Sequence, residues 1–132
     1  MLTLAAKHAD TIALTGAPAA KDGGLAGLAG VAALAERLSF VRSRLDGRAA
    51  EINLLVQLVM VTEDRRAALA DLRRFAPEMS VDEIGELPTL LVGSVRQIAD
   101  QVVEMRERFG ITYVTVLERS LDAFAPVLER LK

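Results

Sequence analysis

The sequence predicts an α/β fold in which about three parallel strands alternate with flanking helices. Residues 10–15, 51–62 and 111–117 are apolar runs rich in β-branched side chains, a pattern typical of strands buried inside a sheet. Between these runs, apolar residues recur at spacings of three and four, which indicates helices with one buried face. Strands separated by helices form parallel sheets through right-handed crossovers.

The most clearly defined unit begins with an extended run at residues 89–92 and ends with the strand at 111–117. Ser94 and Gln97 have the spacing of a capping box, so a helix is predicted to begin directly after Ser94. Gly110 ends that helix, because glycine takes the left-handed conformation without steric cost. The unit is therefore a helix followed by a strand, the half-step of a parallel α/β fold.

Further helices are predicted from the same periodicity, at residues 2–9, 31–45, 63–76, 80–87 and 120–131. The helix at 80–87 begins with a second capping box, formed by Ser80 and Glu83. In the last of these, the regular part is predicted to begin at Pro126, because proline fits only the first turn of a helix. The segment from Gly16 to Gly30 is interpreted as a loop of small residues. It contains neither of the glycine-rich motifs that bind phosphate.

Composition excludes several kinds of site. The chain of 132 residues fits one domain, residues 1–132, and it has no cysteine and one histidine. Disulfides and thiolate metal sites are excluded, and no metal site is predicted. A formal charge of −2 gives no reason to expect nucleic acid as a partner. No apolar stretch approaches the roughly 20 residues that span a membrane, so a cytoplasmic protein is expected.

The proportion of apolar residues predicts a partner chain. It is 52%, with a mean hydropathy of +0.30, which is high for a small domain. Three strands also leave two unpaired sheet edges, and the apolar faces of residues 52–61 and 111–117 would be exposed without further strands. We therefore expect a homodimer, since a two-fold axis covers the same patch on both chains.

Three further polar residues, Asn53, Gln57 and His8, are interpreted from their positions in the predicted elements. Asn53 and Gln57 interrupt the run at residues 51–62, and each either forms hydrogen bonds within the core or points into a pocket. Gln57 is placed in the middle of the strand, so a role in packing or in a pocket is expected, not one in catalysis. His8 falls on the polar side of the first helix, where a surface position is expected.

Four segments together resemble the C-terminal part of the luciferase-like monooxygenase family. They are Met-Leu-x-Leu-Ala-Ala-x-His-Ala-Asp-x-Ile at residues 1–12, Glu-Ile-Asn-Leu-Leu-Val-Gln at 51–57, Leu-Leu-Val-Gly-Ser-Val at 90–95 and Gly-Ile-Thr-Tyr-Val-Thr-Val at 110–116. The resemblance extends over nearly the whole chain, and the segments occur in the order of the family. The likeness is greatest to the subgroup that uses a deazaflavin in place of FMN.

The resemblance implies a partial (β/α)8 barrel, that is, a fragment of a TIM barrel with about three of its strands. It implies a flavin- or deazaflavin-dependent oxidoreductase whose cofactor lies over the C-terminal ends of the strands. The family's glycine-rich phosphate-binding segment precedes the position that matches Met1. A complete active site is therefore not expected in this chain alone, and the cofactor is deazaflavin, FMN or none.

Candidate site residues follow from the barrel, whose active sites form in the loops after the strands. In this chain those positions are Thr15-Gly16, Thr62-Glu63 and Glu118-Arg119. Glu118 is the best candidate for a catalytic acid, although a charged residue after a strand is often only solvated. Gly93 and Ser94 are candidates for a cofactor contact, since a helix N-terminus presents free amides; an ordinary capping box is the simpler interpretation. No nucleophile, base and orienting group occur at a recognisable spacing.

Two functions are consistent with these observations. The first is a truncated luciferase-like oxidoreductase, a monooxygenase domain that lacks a complete active site by itself. The alternative is a non-catalytic module for oligomerisation or for binding a small-molecule ligand, built on a half-barrel scaffold.

Overall fold

The computed structural model describes residues 1–16 and 29–132, so most of the predicted loop from Gly16 to Gly30 lies outside the described residues. The helices are α1 (Leu2–His8), α2 (Val31–Ser43), α3 (Arg65–Leu72), α4 (Val81–Gly85), α5 (Val95–Phe109) and α6 (Leu121–Leu131). The strands are β1 (Thr11–Leu14), β2 (Glu51–Val56), β3 (Leu58–Val61), β4 (Leu90–Gly93) and β5 (Tyr113–Val116). Short 3-10 turns occupy Arg73–Phe75 and Glu118–Ser120.

The main sheet has three parallel strands in the order β1-β2-β5. Ile12 lies opposite Ile52 in the first pair, and Leu54 lies opposite Val114 in the second. The predicted α/β class with three parallel strands and flanking helices is therefore confirmed. Strands β1 and β5 are shorter than their apolar runs, because the residues at both ends of these two runs have no sheet partner.

The strand predicted over residues 51–62 is divided into β2 and β3 at Gln57. Beyond Gln57 the chain leaves the main sheet. Strand β3 pairs in parallel with β4, and the two form a second, two-stranded sheet. The amides of Gln57 and Leu58 both donate to the carbonyl of Thr89, at 2.8 and 3.4 Å. Two successive amides on one carbonyl resemble a β-bulge, which bends a strand. The predicted extended run at residues 89–92 is thus a paired strand.

The apolar residues form two clusters. The larger one combines α1, α2, β1, β2, α5 and α6, and it includes Ile52, Leu54 and Val56, which are buried. The smaller one combines α3, α4 and β4. The expectation that the strand at residues 52–61 exposes its apolar faces is therefore wrong for most of its length, because helices of the same chain cover it.

Helix α6 also differs from its prediction. It runs from Leu121 to Leu131 with Pro126 in its interior, whereas the regular helix was expected to begin at Pro126. Proline at this position removes one helical hydrogen bond. The helix continues because Phe124 and Val127, on either side of the proline, are both buried in the larger cluster.

Candidate functional site

The three parallel strands of the main sheet have their C-terminal ends side by side. At these ends two side chains form hydrogen bonds to the backbone. The side chain of Gln57 donates through Nε2 to the carbonyl of Thr15, at 3.2 Å. Arg119 donates through Nη2 to the carbonyl of Gln57, at 3.3 Å. Thr15 follows β1, Gln57 follows β2 and Arg119 lies shortly after β5. We call Thr15, Gln57 and Arg119 the strand-end cluster.

The structure shows that the predicted position of Gln57 is wrong. This residue lies directly after the C-terminal end of β2, and not in the middle of a strand. Parallel barrels place their functional groups at such ends. The signal in the sequence was a polar residue within a long apolar run, but the pairing partner that breaks the run is distant in sequence.

Glu118 follows β5 as predicted, in the first position of the 3-10 turn. Its side chain is exposed, and it forms no hydrogen bond or ion pair with another of the residues that the structure describes. The neighbouring Arg119, which the sequence placed with Glu118 after the last strand but without a role of its own, makes the contact with Gln57. The structure therefore brings Arg119 into the strand-end cluster through a direct contact and leaves Glu118 beside it.

Gly93 and Ser94 lie at the end of β4 and the beginning of α5. The hydroxyl of Ser94 accepts from the amide of Gln97 at 3.2 Å, and Oε1 of Gln97 accepts from the amide of Ser94 at 2.8 Å. The predicted capping box is confirmed. Gly93 has φ of +141°, and a Cβ there would lie 2.6 Å from Oε1 of Gln97, so glycine is required by the cap itself.

The predicted candidates do not form a single site. Gly93 lies opposite Val61, which is four residues (61 − 57) beyond Gln57 along the chain. At about 3.3 Å per strand residue, the backbone from Gln57 to Val61 spans roughly 13 Å, so Gly93 lies beside the far end of β3 and not beside Gln57. Gly93 instead accepts from the amide of Thr62, at 2.9 Å. The sequence prediction placed Thr62 at the end of a barrel strand, whereas the structure pairs this segment outside the main sheet.

Asn53 and His8 occupy structural positions. The Asn53 side chain is buried and donates to the carbonyl of Tyr113 at 3.2 Å and to the hydroxyl of Thr115 at 2.8 Å. Hydrogen bonding within the core, one of the two interpretations of Asn53, is therefore confirmed. His8 is exposed near the end of α1, as expected.

Residues 1–16 and 29–132 contain neither a candidate metal site nor a candidate membrane-spanning helix. No group of three or more histidine, aspartate or glutamate side chains is arranged to hold a metal ion. No helix in these ranges has both the length and the apolar character needed to cross a membrane.

The order and direction of the strands define an α/β fold that corresponds to part of a (β/α)8 barrel. The chain is similar to the crystal structure of a long-chain alkane monooxygenase (LadA), with a TM-score of 0.58 and 18% sequence identity. The similarity covers 98% of this chain and 38% of the monooxygenase chain. Comparison with protein-family models and with curated protein sequences finds no match.

This similarity shows the fold. The chain spans 38% of the length of the monooxygenase that it matches, so it corresponds to a part of that enzyme's fold. At 18% identity, the activity of the whole enzyme does not transfer to this chain on structural grounds.

Proposed function

We propose that the chain forms the C-terminal strands of a luciferase-like, flavin- or deazaflavin-dependent monooxygenase barrel and that the strand-end cluster borders the cofactor. The observation that carries this proposal is the meeting of three parallel strand ends at Gln57, the edge where barrels bind their ligands. The sequence resemblance and the structural similarity support the same class, because the solved structure is also that of a monooxygenase.

The residues at this edge fit one part of such a cofactor. Arg119 is exposed, and within the described residues its guanidinium group makes one hydrogen bond, the 3.3 Å contact with Gln57. Its remaining donors suit the phosphate of FMN or of a deazaflavin cofactor. At the start of α5, the capping box engages the amides of Ser94 and Gln97, which leaves those of Val95 and Arg96 for a weaker anion contact.

A flavin or deazaflavin supplies hydride transfer when it is bound. The described residues supply an arginine after β5 and helix amides after β4, with Glu118 as an exposed acid. These groups can orient an anion, but they do not surround a ring system. We therefore expect binding by the isolated chain without turnover, and complete activity only when the remaining barrel strands are present.

A fluorescence titration of the chain with FMN and with a deazaflavin cofactor tests this proposal. We expect quenching with micromolar affinity and about tenfold weaker binding by Arg119→Gln, since a hydrogen bond to a charged group contributes about 1.5 kcal/mol or more. Arg106→Gln is the matched control, because Arg106 is exposed in the last turn of α5, away from the strand ends. Absence of quenching at high cofactor concentration would contradict a retained cofactor site and favour the non-catalytic module.

A further inference from the structure

The two edges of the main sheet have the right direction to pair with each other in a second copy. Within residues 1–16 and 29–132, β1 and β5 each have one neighbour, which is β2. All three strands run parallel, so β5 of one copy can continue the sheet into β1 of another. Two such contacts around a two-fold axis join the strands of both copies into a closed ring, which leaves no edge.

The two outer helices carry exposed leucines beside these edges. Helix α1 precedes β1 and packs on α2, whereas α6 follows β5 and packs on α5. On α1, Leu4 is 65% exposed, and on α6, Leu121 and Leu128 are 55% and 51% exposed. The two leucines of α6 are about two helical turns apart, so they lie on one face. Pairing of β5 with β1 of a second copy brings α6 beside the other copy's α1 and covers this face.

The charges of the two helices are complementary. Lys7 is exposed on α1, which has no acidic residue, and it forms no ion pair with another described residue. On α6, Asp122 and Glu129 directly follow the two exposed leucines, and both are exposed. Contact between two copies of α6 brings carboxylates together, whereas contact between α6 and α1 places them near a lysine. The charges therefore favour the unlike pair of helices.

The uncovered face of the main sheet suits the inside of a narrow ring. The exposed residues of β1 and β5 are Thr11, Ala13, Tyr113 and Thr115, which alternate with the residues that face the helices. The diameter of a barrel grows with its number of strands, and side chains just fill a barrel of about eight strands. A ring from two copies is narrower, and three of these four side chains are small.

We propose that two copies of the chain close a six-stranded parallel barrel, in which β5 of each copy pairs with β1 of the other and α6 packs against α1. The two-fold axis coincides with the axis of the barrel, so all strands end on the same rim. Two contacts, each with a strand pair and a helix pair, match the extensive interface of about 2,000 Å² or more that obligate dimers bury. The partner's Arg119 then faces the same opening as Arg119 of the first copy, a consequence that rests on the proposed function.

Cross-linking tests this arrangement, because the chain has no cysteine of its own. Leu4 and Leu128 each lie about one turn from the end of their helices. Leu4→Cys and Leu128→Cys chains are refolded together and treated with a bismaleimide that spans about 10 Å, the distance between packed helices. We expect cross-links in about half of the dimers, the statistical share of mixed pairs. Leu128→Cys mixed with Asp71→Cys, at an exposed position of α3, is the control and should give none.

Each single variant alone should also give no cross-link, because the two copies of one residue lie on opposite sides of the barrel axis. Cross-linking of Leu128→Cys chains with each other would overturn the proposal, since it would show that like edges meet. A monomer of the unmodified chain in sedimentation at low micromolar concentration would also overturn it, and this measurement requires no variant to fold. The cross-link needs no cofactor, so absence of flavin binding would contradict the proposed function alone.

Discussion

At the scale of single residues, arginine side chains connect distant elements by donating to backbone carbonyls. The last carbonyls of a helix have no partner within the helix, and the several donors of a guanidinium group can satisfy two carbonyls at once. The contacts join Arg42 to Phe109, Arg48 to Ala6 and Ala9, Arg65 to Gly85 and Val92, and Arg119 to Gln57. These arginines therefore stabilise the fold without a buried carboxylate partner.

Arg65 provides the sharpest test of this role. Its Nε lies 2.9 Å from the carbonyl of Val92 and its Nη2 lies 2.8 Å from that of Gly85, so one side chain joins α3, α4 and β4. Lysine has a single compact charge and cannot bridge both carbonyls in this geometry. We expect Arg65→Lys to lower the free energy of unfolding by about 1–2 kcal/mol in urea denaturation.

Arg66→Lys is the control for this measurement. Arg66 contacts Asp82 at 3.6 Å, and both side chains are largely exposed, so the substitution should change stability by less than about 0.5 kcal/mol. If the two variants were equally stable, the carbonyl contacts of Arg65 would make no net contribution.

Ser94 has a similar local role at the start of α5. Removing its hydroxyl leaves the amide of Gln97 without the 3.2 Å hydrogen bond, so Ser94→Ala should destabilise the fold by about 1 kcal/mol. Ser43→Ala, at the exposed end of α2, is the matched control. An unchanged denaturation midpoint for Ser94→Ala would show that the cap does not stabilise the helix and would favour a ligand role.

At the scale of elements, α4 shows how a very short helix is held. Five residues are too few for an isolated helix, because nucleation is unfavourable. Ser80 and Glu83 form a capping box, in which the carboxylate of Glu83 accepts from the Ser80 amide at 2.7 Å. Ile84 is buried, so the helix is also anchored to the smaller cluster.

This capping box predicts a dependence of stability on pH. The hydrogen bond from the Ser80 amide, together with the Ser80 hydroxyl, lowers the pKa of Glu83 below its ordinary value of 4.5. A lowered pKa in the folded state means that the contribution is complete above pH 4.5 and is lost as the pH falls through the folded value. We expect the difference in urea midpoint between the unmodified chain and Glu83→Gln to shrink below pH 4.5. A constant difference across this range would contradict the assignment.

The capping boxes could be predicted from the sequence, because a cap depends on residues three positions apart. The break at Gln57 could not, because it depends on pairing with Thr89, which is distant along the chain. The same reason explains why residues 89–92 were expected to be extended but unpaired. The contact of Arg119 with Gln57 was also missed, since it exists only after three strand ends meet. Features that depend on neighbouring residues could therefore be predicted from the sequence. The candidate site could be predicted only in part, because its contacts join distant residues.

At the scale of the whole molecule, the main sheet ends in two edge strands. Within the described residues, β1 and β5 each pair on one side only, with β2. Along β5, Tyr113 and Thr115 are exposed, and 48% of Tyr113 is accessible. Unpaired edges of this kind readily accept another strand. Helices cover β2, and the exposed large apolar side chains are spread over several elements, among them Leu4, Phe40, Phe75, Tyr113, Leu121 and Leu128.

We therefore expect an obligate homodimer whose interface includes the edge of β5. A two-fold axis brings the same patch of each chain together, so Tyr113 on both copies would be covered at once. Obligate dimers of this kind bury about 2,000 Å² or more. Sedimentation at low micromolar concentration should show a dimer, and Tyr113→Lys should shift it toward monomer, because a lysine on an edge strand opposes pairing. Thr3→Lys, at an exposed position of α1, is the control. A folded, stable monomer of the unmodified chain would show that the sheet edges need no partner.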